Sequence, residues 1–267
     1  MKIGVIQLTS VLEPEINLKK IRTFLDDAKK QNVQAVFLPE VFYSISDGTK
    51  PTTYLIEGEN EHFKNIQKLA KDYQIYLLGG SAATLVDGKI INRAYHFDPK
   101  GKLLASYDKI HLFACNLLNH PSQTVLNESA IYSPGDKLCL LPIEEFTMGT
   151  TICFDVRFPE MFRKYYKMGA NLFTVSAAFT VPTGKAHWHT LLRARAIETQ
   201  SYVVAAAQWG QHNAKISTFG HSLIVNPWGE VMADAGEGEK LITAELDLEQ
   251  INRYRERLSV PVDTFLM

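Results

Sequence analysis

The stretch from residue 148 to residue 160 joins a strand-like run to a helix-like run, which limits the chain to folds that combine both elements. Apolar and β-branched residues lead up to Cys153. Phe158-Pro159-Glu160 then opens a helix-like run, with proline and an acid in the positions that a first helical turn favours. We therefore predict Cys153 at a strand end, before a turn that leads to a helix. Such strand ends are where α/β folds hold their reactive groups.

Strand–helix–strand units of this kind recur along the chain. Helices are predicted at residues 14–30, 61–73, 158–168, 185–199 and 248–258, and strands at residues 2–9, 35–38, 75–79, 89–97, 102–106, 172–176, 202–207 and 241–246. The sequence has no Pro/Ser-rich linker and no short-period repeat. We therefore expect one mixed α/β domain over residues 1–267.

Two long segments lack clear periodicity. Residues 44–60 are polar and rich in turn residues, and we predict a loop there. Residues 114–133 are predicted to be a structureless segment, and segments of this kind within compact domains are often functional.

Composition excludes several classes of protein. The 267 residues carry a formal net charge of −1, with no basic stripe that would suggest a nucleic-acid partner. No window approaches 18 uncharged apolar residues, so no membrane span is expected, and the N-terminus lacks the pattern of a signal peptide. The three cysteines have no metal-binding spacing, and their odd number argues against a disulfide framework. A cytoplasmic location is expected.

Glu40, Lys109 and Cys153 each follow an apolar, strand-like run, and such ends can converge at one edge of a sheet. The acid could accept the thiol proton, and the lysine could stabilise both a thiolate and an oxyanion. Lowering a thiol pKa from about 8.5 to 7 takes roughly 2 kcal/mol, which one nearby cation can supply. Each residue alone also fits a plainer role: a buried structural cysteine, a surface or capping acid, and a surface lysine.

Three motifs around these residues resemble the signature motifs of the nitrilase superfamily, the carbon–nitrogen hydrolases. They are residues 37–40 (FLPE), 107–112 (YDKIHL) and 152–160 (ICFDVRFPE). The resemblance implies a four-layer αββα sandwich, a Glu–Lys–Cys triad, no metal or cofactor, and a homodimer. Glu40 would be the general base, Cys153 the nucleophile, and Lys109 the proton donor and oxyanion stabiliser.

The same resemblance implies two supporting groups. The backbone N–H of Phe154 would complete the oxyanion hole. Glu128 matches the family's second glutamate, which helps to position Lys109 and the substrate.

Further segments are similar to the deaminated glutathione amidases and to the closely related ω-amidases. These segments are residues 176–179, 183–188, 191–200, 202–208, 220–222 and 226–229. The implied reaction is hydrolysis of deaminated glutathione, through a Cys thioester, to an α-keto acid and cysteinylglycine. The alternative substrate is α-ketoglutaramate or another small carboxylate amide, as for an ω-amidase.

Four residues are candidates for substrate binding. Arg157 could pair bidentately with a substrate carboxylate, or it could form a structural ion pair near a helix start. Phe179, Thr180 and Trp188 are expected in the pocket walls.

Some features depart from the family pattern. Ala114 replaces an acid that often follows the lysine motif, residues 114–126 do not follow the usual loop, and Ile216 stands where relatives often carry arginine. The chain also stops at Met267, without the familiar Arg-rich, Tyr-containing tail. These differences affect the expected substrate and dimer contacts and leave the triad intact.

Two rival hypotheses remain open from the residues alone. A papain-type hydrolase would need a histidine partner for Cys153, but none of the eight histidines has a diagnostic context. His187 and His189 are two apart and do not share a helical face, which argues against a metal pair. The other rival is a catalytically silent binding scaffold that kept only the fold.

Overall fold

The computed structural model of the protein describes residues 1–116 and 125–260. Helices and strands alternate along these residues as the sequence predicts. The helices are α1 (Pro14–Lys30), α2 (Glu61–Tyr73), α3 (Pro159–Lys167), α4 (Val181–Thr199) and α5 (Leu248–Arg257). The strands are β1 (Lys2–Gln7), β2 (Ala35–Leu38), β3 (Tyr76–Gly79), β4 (Ser81–Val86), β5 (Lys89–Phe97), β6 (Leu103–Asp108), β7 (Ala114–Asn116), β8 (Val125–Asn127), β9 (Leu140–Ile143), β10 (Phe146–Ile152), β11 (Leu172–Ala177), β12 (Tyr202–Ala207), β13 (Trp209–Gln211), β14 (Ser217–Phe219), β15 (Leu223–Val225), β16 (Val231–Asp234) and β17 (Lys240–Glu245).

Two large sheets form the centre of the described structure. The first has seven strands in the order β17-β1-β2-β3-β5-β4, with β6 added alongside β5. The second has six strands in the order β16-β15-β12-β11-β10-β9. Each sheet contains a parallel core, β1-β2-β3 in the first and β10-β11-β12 in the second, flanked by antiparallel strands.

The buried residues fall into three layers of core, which together define a four-layer αββα sandwich. One cluster lies between the two sheets and joins Val5 and Phe37 of the first to Met148 and Val204 of the second. A second cluster packs α1 and α2 on the outer face of the first sheet, and a third packs α3 and α4 on the outer face of the second. The predicted fold class is confirmed.

A buried histidine bridges the two sheets close to the strand ends. Nδ1 of His96 accepts a hydrogen bond from the N–H of Gly79 (3.2 Å). Burial lowers the pKa of His96 to about 3, so the ring is neutral and its proton lies on Nε2, which donates to Oγ1 of Thr150 (2.9 Å). A second bridge joins the N–H of Gly80 to Oγ of Ser176 (3.0 Å). These bonds fix the relative position of the two sheets beside the candidate site.

Several predicted boundaries are confirmed, and three expectations need correction. Helix α4 starts at Val181 rather than near residue 185. Pro182 lies in the first turn, where proline is favoured, and Gly184 lies inside the helix, packed directly against Phe219. Strand β4 was not predicted, since its sequence SAATLV is rich in small and polar residues although four of its six residues are buried. The segment 114–133 is not wholly structureless, because β7 and β8 pair in it.

Two of the features that depart from the family pattern lie outside the described residues. They are residues 117–124, in the middle of the unusual 114–126 segment, and residues 261–267, at the end of the sequence. Among the described residues, no helix is both long and apolar enough to span a membrane.

The turn between β3 and β4 depends on glycine for two separate reasons. Gly80 has a positive φ of 56°, and an added Cβ would lie 2.8 Å from Cβ of Leu38. Gly88, in the β4–β5 turn, also has a positive φ (74°), but no described atom lies within 4 Å of the position of an added Cβ. Comparing substitutions at Gly80 and Gly88 therefore separates the cost of a left-handed backbone from the cost of a steric clash.

We expect Gly88→Ala to lower the free energy of unfolding by about 1 kcal/mol and Gly80→Ala to lower it by about 2–4 kcal/mol. Both variants carry the left-handed backbone penalty, and only the second forces a side chain into Leu38. Urea unfolding measures the difference. Equal losses in the two variants would contradict the close packing at Gly80.

Candidate active site

The carboxylate of Glu40 is held at the carboxyl end of β2 by donors from both sheets. Oε1 accepts from Nζ of Lys109 (2.8 Å) and from Nδ2 of Asn92 (2.9 Å). Oε2 accepts from the backbone N–H of Ala178 (2.8 Å), just after β11 of the second sheet. The side chain of Glu40 is only 3% exposed. Its orientation is therefore fixed, and the surface-cap alternative is wrong for this position.

Lys109 follows β6 and is fully buried between two acids. Its Nζ lies 2.8 Å from Oε1 of Glu40 and 2.7 Å from Oε2 of Glu128. Burial opposes the charge on this lysine, but Glu128 and Glu40 raise the pKa of Lys109 well above its ordinary value. The ammonium is thus permanent at neutral pH, and the surface-lysine alternative is wrong.

Glu128 is held in turn by the backbone of the segment that follows Lys109. Oε2 of Glu128 accepts from the N–H of Phe113 (2.7 Å), and the N–H of Glu128 donates to the carbonyl of Phe113 (2.9 Å). Burial raises the pKa of Glu128, while Lys109 opposes that shift. The carboxylates of Glu40 and Glu128 therefore both contact the ammonium of Lys109.

Cys153 occupies the first position after β10, at the start of a short 3₁₀ helix that precedes α3. Its φ is +50°, an uncommon conformation for a residue with a side chain. Asp155 holds this sharp turn: its Oδ2 accepts from the N–H of Ile152 (2.9 Å) and from the hydroxyl of Tyr107 (2.7 Å). Oδ1 of Asp155 accepts from the N–H of His111 (3.1 Å). The turn that carries the thiol is thus tied to both sides of Lys109.

The charges around Cys153 correct the expectation of a lowered thiol pKa. Burial and the carboxylate of Glu40 raise the pKa of Cys153 well above its ordinary value, and Lys109 only partly opposes this shift. One cation does not dominate, because Glu128 adds a second negative charge. In the free protein Cys153 is a neutral thiol, and the negative charge of the site lies on the acids.

Two adjoining pockets meet at Cys153. The larger encloses an empty volume of about 740 Å³, including open solvent at its mouth, and is lined by Glu40, Glu128, Cys153, Tyr132 and Ile216 among others. The smaller, of about 210 Å³ by the same measure, is lined by Cys153, Phe154, Arg157, Phe179 and Thr180 among others. Cys153 therefore lines both a larger pocket that contains two acids and a smaller pocket that contains Arg157.

The geometry brings three of the four predicted binding residues to the pockets. Thr180 lines both, and Phe179 and Arg157 line the smaller. Trp188 lies behind Phe179, with ring centroids 4.7 Å apart, and its Nε1 donates to the carbonyl of His221 (2.7 Å). Trp188 is fully buried and lines neither pocket.

Arg157 has the surroundings of a carboxylate receptor. Its guanidinium lies over the rings of Phe154 and Phe179, at 5.6 and 5.3 Å from their centroids. Its two terminal nitrogens are each 3.3 Å from Nδ1 of His187, and its Nε is buried without a hydrogen-bond partner among the described residues. No carboxylate of the described residues forms an ion pair with Arg157. The structural ion pair considered from the sequence thus has no partner there.

A family model for carbon–nitrogen hydrolases matches residues 2–256. The chain belongs to the carbon–nitrogen hydrolase family. Among solved structures, this hydrolase is similar to Nit3 of Saccharomyces cerevisiae, a member of branch 10 of the nitrilase superfamily. The two share 30% identity with a TM-score of 0.85, over 97% of this chain and 94% of the other. The fold and the family therefore agree.

Curated relatives of the hydrolase include named amidases. It is 38% identical to the ω-amidase NIT2 of Xenopus tropicalis, over 91% of this chain and 87% of the relative. It is 35% identical to the deaminated glutathione amidase of Dictyostelium discoideum, over 97% and 92%. It is 41% identical to the nitrilase and fragile histidine triad fusion protein of Drosophila melanogaster, of whose length it spans about half (53%). The chain is thus an amidase-type hydrolase of carbon–nitrogen bonds.

The structure adds residues that sequence reasoning did not assign to the site. Asn92 and the N–H of Ala178 orient Glu40, and Asp155 braces the turn at Cys153. Asn92 is fully buried in β5, but Lys89 and Arg93 of the same strand are also polar, so its sequence context gave no clear signal. The N–H of Ala178 left no signal, because its role depends only on where the chain passes.

The raised pKa of the Cys153 thiol leads to a prediction about Glu128. Replacing Glu128 by Gln removes one negative charge near the sulfur, so the pKa of Cys153 should fall. We expect methyl methanethiosulfonate to modify Cys153 several-fold faster in Glu128→Gln than in the wild type at pH 7.5. Turnover should fall in the same variant, because Lys109 loses a partner.

The matched control is Glu144→Gln, which changes an exposed glutamate outside both pockets. Its modification rate should equal that of the wild type. A wild-type Cys153 that titrates below the ordinary thiol pKa of about 8.5 would contradict the charge balance described above.

Proposed function

We propose that this carbon–nitrogen hydrolase cleaves a linear amide through a thioester on Cys153, with Glu40 as base and then acid, and with Lys109 as the hydrogen-bond donor that stabilises the oxyanion. The observation that carries the proposal is the placement of Glu40. Its carboxylate is fixed by Lys109, Asn92 and the N–H of Ala178, and it lines the same pocket as Cys153. We propose that residues 1–267 form one hydrolase domain.

In the first half-reaction, the neutral thiol is deprotonated as it attacks. Glu40 takes the proton from Cys153 while the sulfur bonds to the amide carbon, and the carbonyl electron pair moves to oxygen. Nζ of Lys109 has three protons, of which Glu40 and Glu128 engage two, so one remains for the oxyanion. The N–H of Phe154, in the first turn of the 3₁₀ helix, supplies the second donor.

The first half-reaction ends when the amine leaves. The electron pair on the oxyanion re-forms the carbonyl as the carbon–nitrogen bond breaks, the proton held by Glu40 passes to the departing nitrogen, and the thioester remains. In the second half-reaction, Glu40 accepts a proton from water as the water oxygen attacks the thioester carbon. The carbon–sulfur bond breaks, the acid is released, and Cys153 recovers its proton.

The two pockets support deaminated glutathione as the substrate. The smaller pocket contains Arg157, whose guanidinium suits the carboxylate of an α-keto acid. The larger pocket, which Cys153 also lines, is the place that we propose for the cysteinylglycine leaving group. An ω-amidase acting on α-ketoglutaramate releases only ammonia and would need no such second pocket. It is the second candidate because a named ω-amidase is among the relatives.

Other expectations about this hydrolase remain proposals. We propose a homodimer and a cytoplasmic location, and the three cysteines are free thiols, which suits a reducing compartment. A catalytically silent scaffold would have no use for a buried cation between two acids beside a thiol.

Single replacements of the triad should abolish turnover. We expect Cys153→Ser, Glu40→Gln and Lys109→Met each to lower kcat by at least about 1,000-fold on deaminated glutathione, because such groups act as a unit. The controls are Glu57→Gln and Lys102→Met, two exposed residues of the same types. Release of cysteinylglycine measures the rate, and circular dichroism checks the fold. Near-normal kcat in Lys109→Met would rule out the proposed mechanism.

Substrate choice depends on Arg157 and on the larger pocket. We expect kcat/KM to be higher for deaminated glutathione than for α-ketoglutaramate. Arg157→Gln should raise KM for both about 10–100-fold, since both lose a charged hydrogen-bond partner. Arg193→Gln is the control, because Arg193 contacts Gly229 outside the pockets. Preference for α-ketoglutaramate would favour the ω-amidase, and an unchanged KM in Arg157→Gln would remove the proposed carboxylate receptor.

A further inference from the structure

A second group of chemically capable side chains lies outside both pockets. His189 of α4, His221 before β15 and Asp234 at the end of β16 have ligand atoms that all lie within 4.8 Å of one another. Nε2 of His189 is 2.9 Å from Oδ2 of Asp234, and Nδ1 of His221 is 3.0 Å from Oδ1. The side chains are 25–38% exposed, so an ion in solution can reach them.

The backbone of His221 is held in a conformation that costs free energy. Its φ is +55°, in the left-handed region that few residues with side chains adopt. The indole of Trp188 donates to its carbonyl (2.7 Å), its N–H donates to the carbonyl of Gly236 (3.2 Å), and its ring stacks on Phe219. Strain held in this way points to a function for the imidazole, and the triad makes no use of it.

The carboxylate partner is also fixed in advance. The N–H of Gly236 donates to Oδ1 of Asp234 (2.7 Å), as an outer group does when it orients a metal ligand. The carboxylate therefore lies between the two imidazoles with its orientation already set.

We propose that His189, His221 and Asp234 form a binding site for a divalent transition-metal ion of the Zn²⁺ class, with water completing the coordination. Two imidazole nitrogens and one carboxylate oxygen are a donor set that suits Zn²⁺. In a tetrahedral zinc site the ligand atoms are about 3.3 Å apart, given bond lengths of 2.0–2.2 Å. The nitrogen-to-carboxylate distances of 2.9 and 3.0 Å would lengthen slightly, and the two imidazole nitrogens, which lie within 4.8 Å of each other, would adjust to the same spacing. Each imidazole would carry its proton on the nitrogen that does not bind metal.

An ion at this site would join elements that shape the substrate pocket. It would tie α4 to the β15–β16 hairpin, through residues from three separate parts of the chain. The N–H of Phe219, whose ring stacks on His221, donates to the carbonyl of Phe179 (2.9 Å), and Phe179 lines the smaller pocket. The three ligands line neither pocket, so the ion would act by holding α4 in place.

Calorimetric titration of the untagged, chelator-treated protein with Zn²⁺ tests the proposal. We expect one equivalent to bind, with at least tenfold weaker affinity in His221→Asn, His189→Gln and Asp234→Asn. Asparagine tolerates a left-handed backbone, so His221→Asn removes the imidazole with little added strain. Co²⁺ should give the absorption of a nitrogen–oxygen site without a sulfur-to-cobalt charge-transfer band.

Two controls separate this site from others. His62→Gln, which alters a partly exposed histidine of α2, and Cys153→Ser, which removes the catalytic thiol, should bind Zn²⁺ with the affinity of the wild type. No saturable uptake below about 100 µM by the wild type would overturn the proposal. Equal affinity in all three ligand variants, or loss of binding in Cys153→Ser, would also overturn it.

Discussion

The site of this hydrolase depends on one buried cation, the ammonium of Lys109, which forms ion pairs with both Glu40 and Glu128. Lys109 is fully buried, and its charge survives because two acids contact it at 2.7–2.8 Å. Removing Lys109 would leave the two carboxylates without their shared cation, and an uncompensated buried charge typically costs about 3–5 kcal/mol. The surplus negative charge has a chemical consequence, since it keeps Cys153 protonated until a substrate arrives. In the proposed mechanism the thiol therefore transfers its proton to Glu40 as it attacks, and a stored thiolate is not required.

The two sheets divide the work of holding this arrangement. The first carries Glu40 and Lys109 at its strand ends, and the second carries Cys153 and the N–H of Ala178. Backbone strain marks the junction on both sides: Cys153 has a φ of +50°, and Val41, directly after Glu40, has a φ of +47° although it is β-branched. The N–H of Val41 donates to Oγ of Ser81 (2.9 Å), and Asp155 braces the turn at Cys153. The surrounding packing therefore fixes both reacting groups before the substrate binds.

Sequence reasoning predicted the layers of the fold and three residues, Glu40, Lys109 and Cys153, that the structure brings to one site. It failed where the outcome depends on long-range contacts. Periodicity is local, so the bounds of α1, α2 and β5 follow from the residues themselves. Strand β4 is built from small residues that only its pairing with β5 makes a strand. The prediction of a lowered thiol pKa counted only one nearby cation. It left out the burial of Cys153 and the carboxylates of Glu40 and Glu128, which together outweigh that cation. The cluster of His189, His221 and Asp234 was invisible from the sequence, because its members come together only through α4 and the hairpin.

Acid-quench mass spectrometry of the hydrolase during turnover of deaminated glutathione tests whether a thioester forms on Cys153. We expect a transient acyl adduct on the peptide that contains Cys153, with the mass of the substrate less cysteinylglycine. The adduct should form rapidly and then decay in the wild type. In Glu40→Gln it should not accumulate, because no base accepts the thiol proton. Turnover without any adduct on Cys153, or an adduct on another residue, would contradict the account.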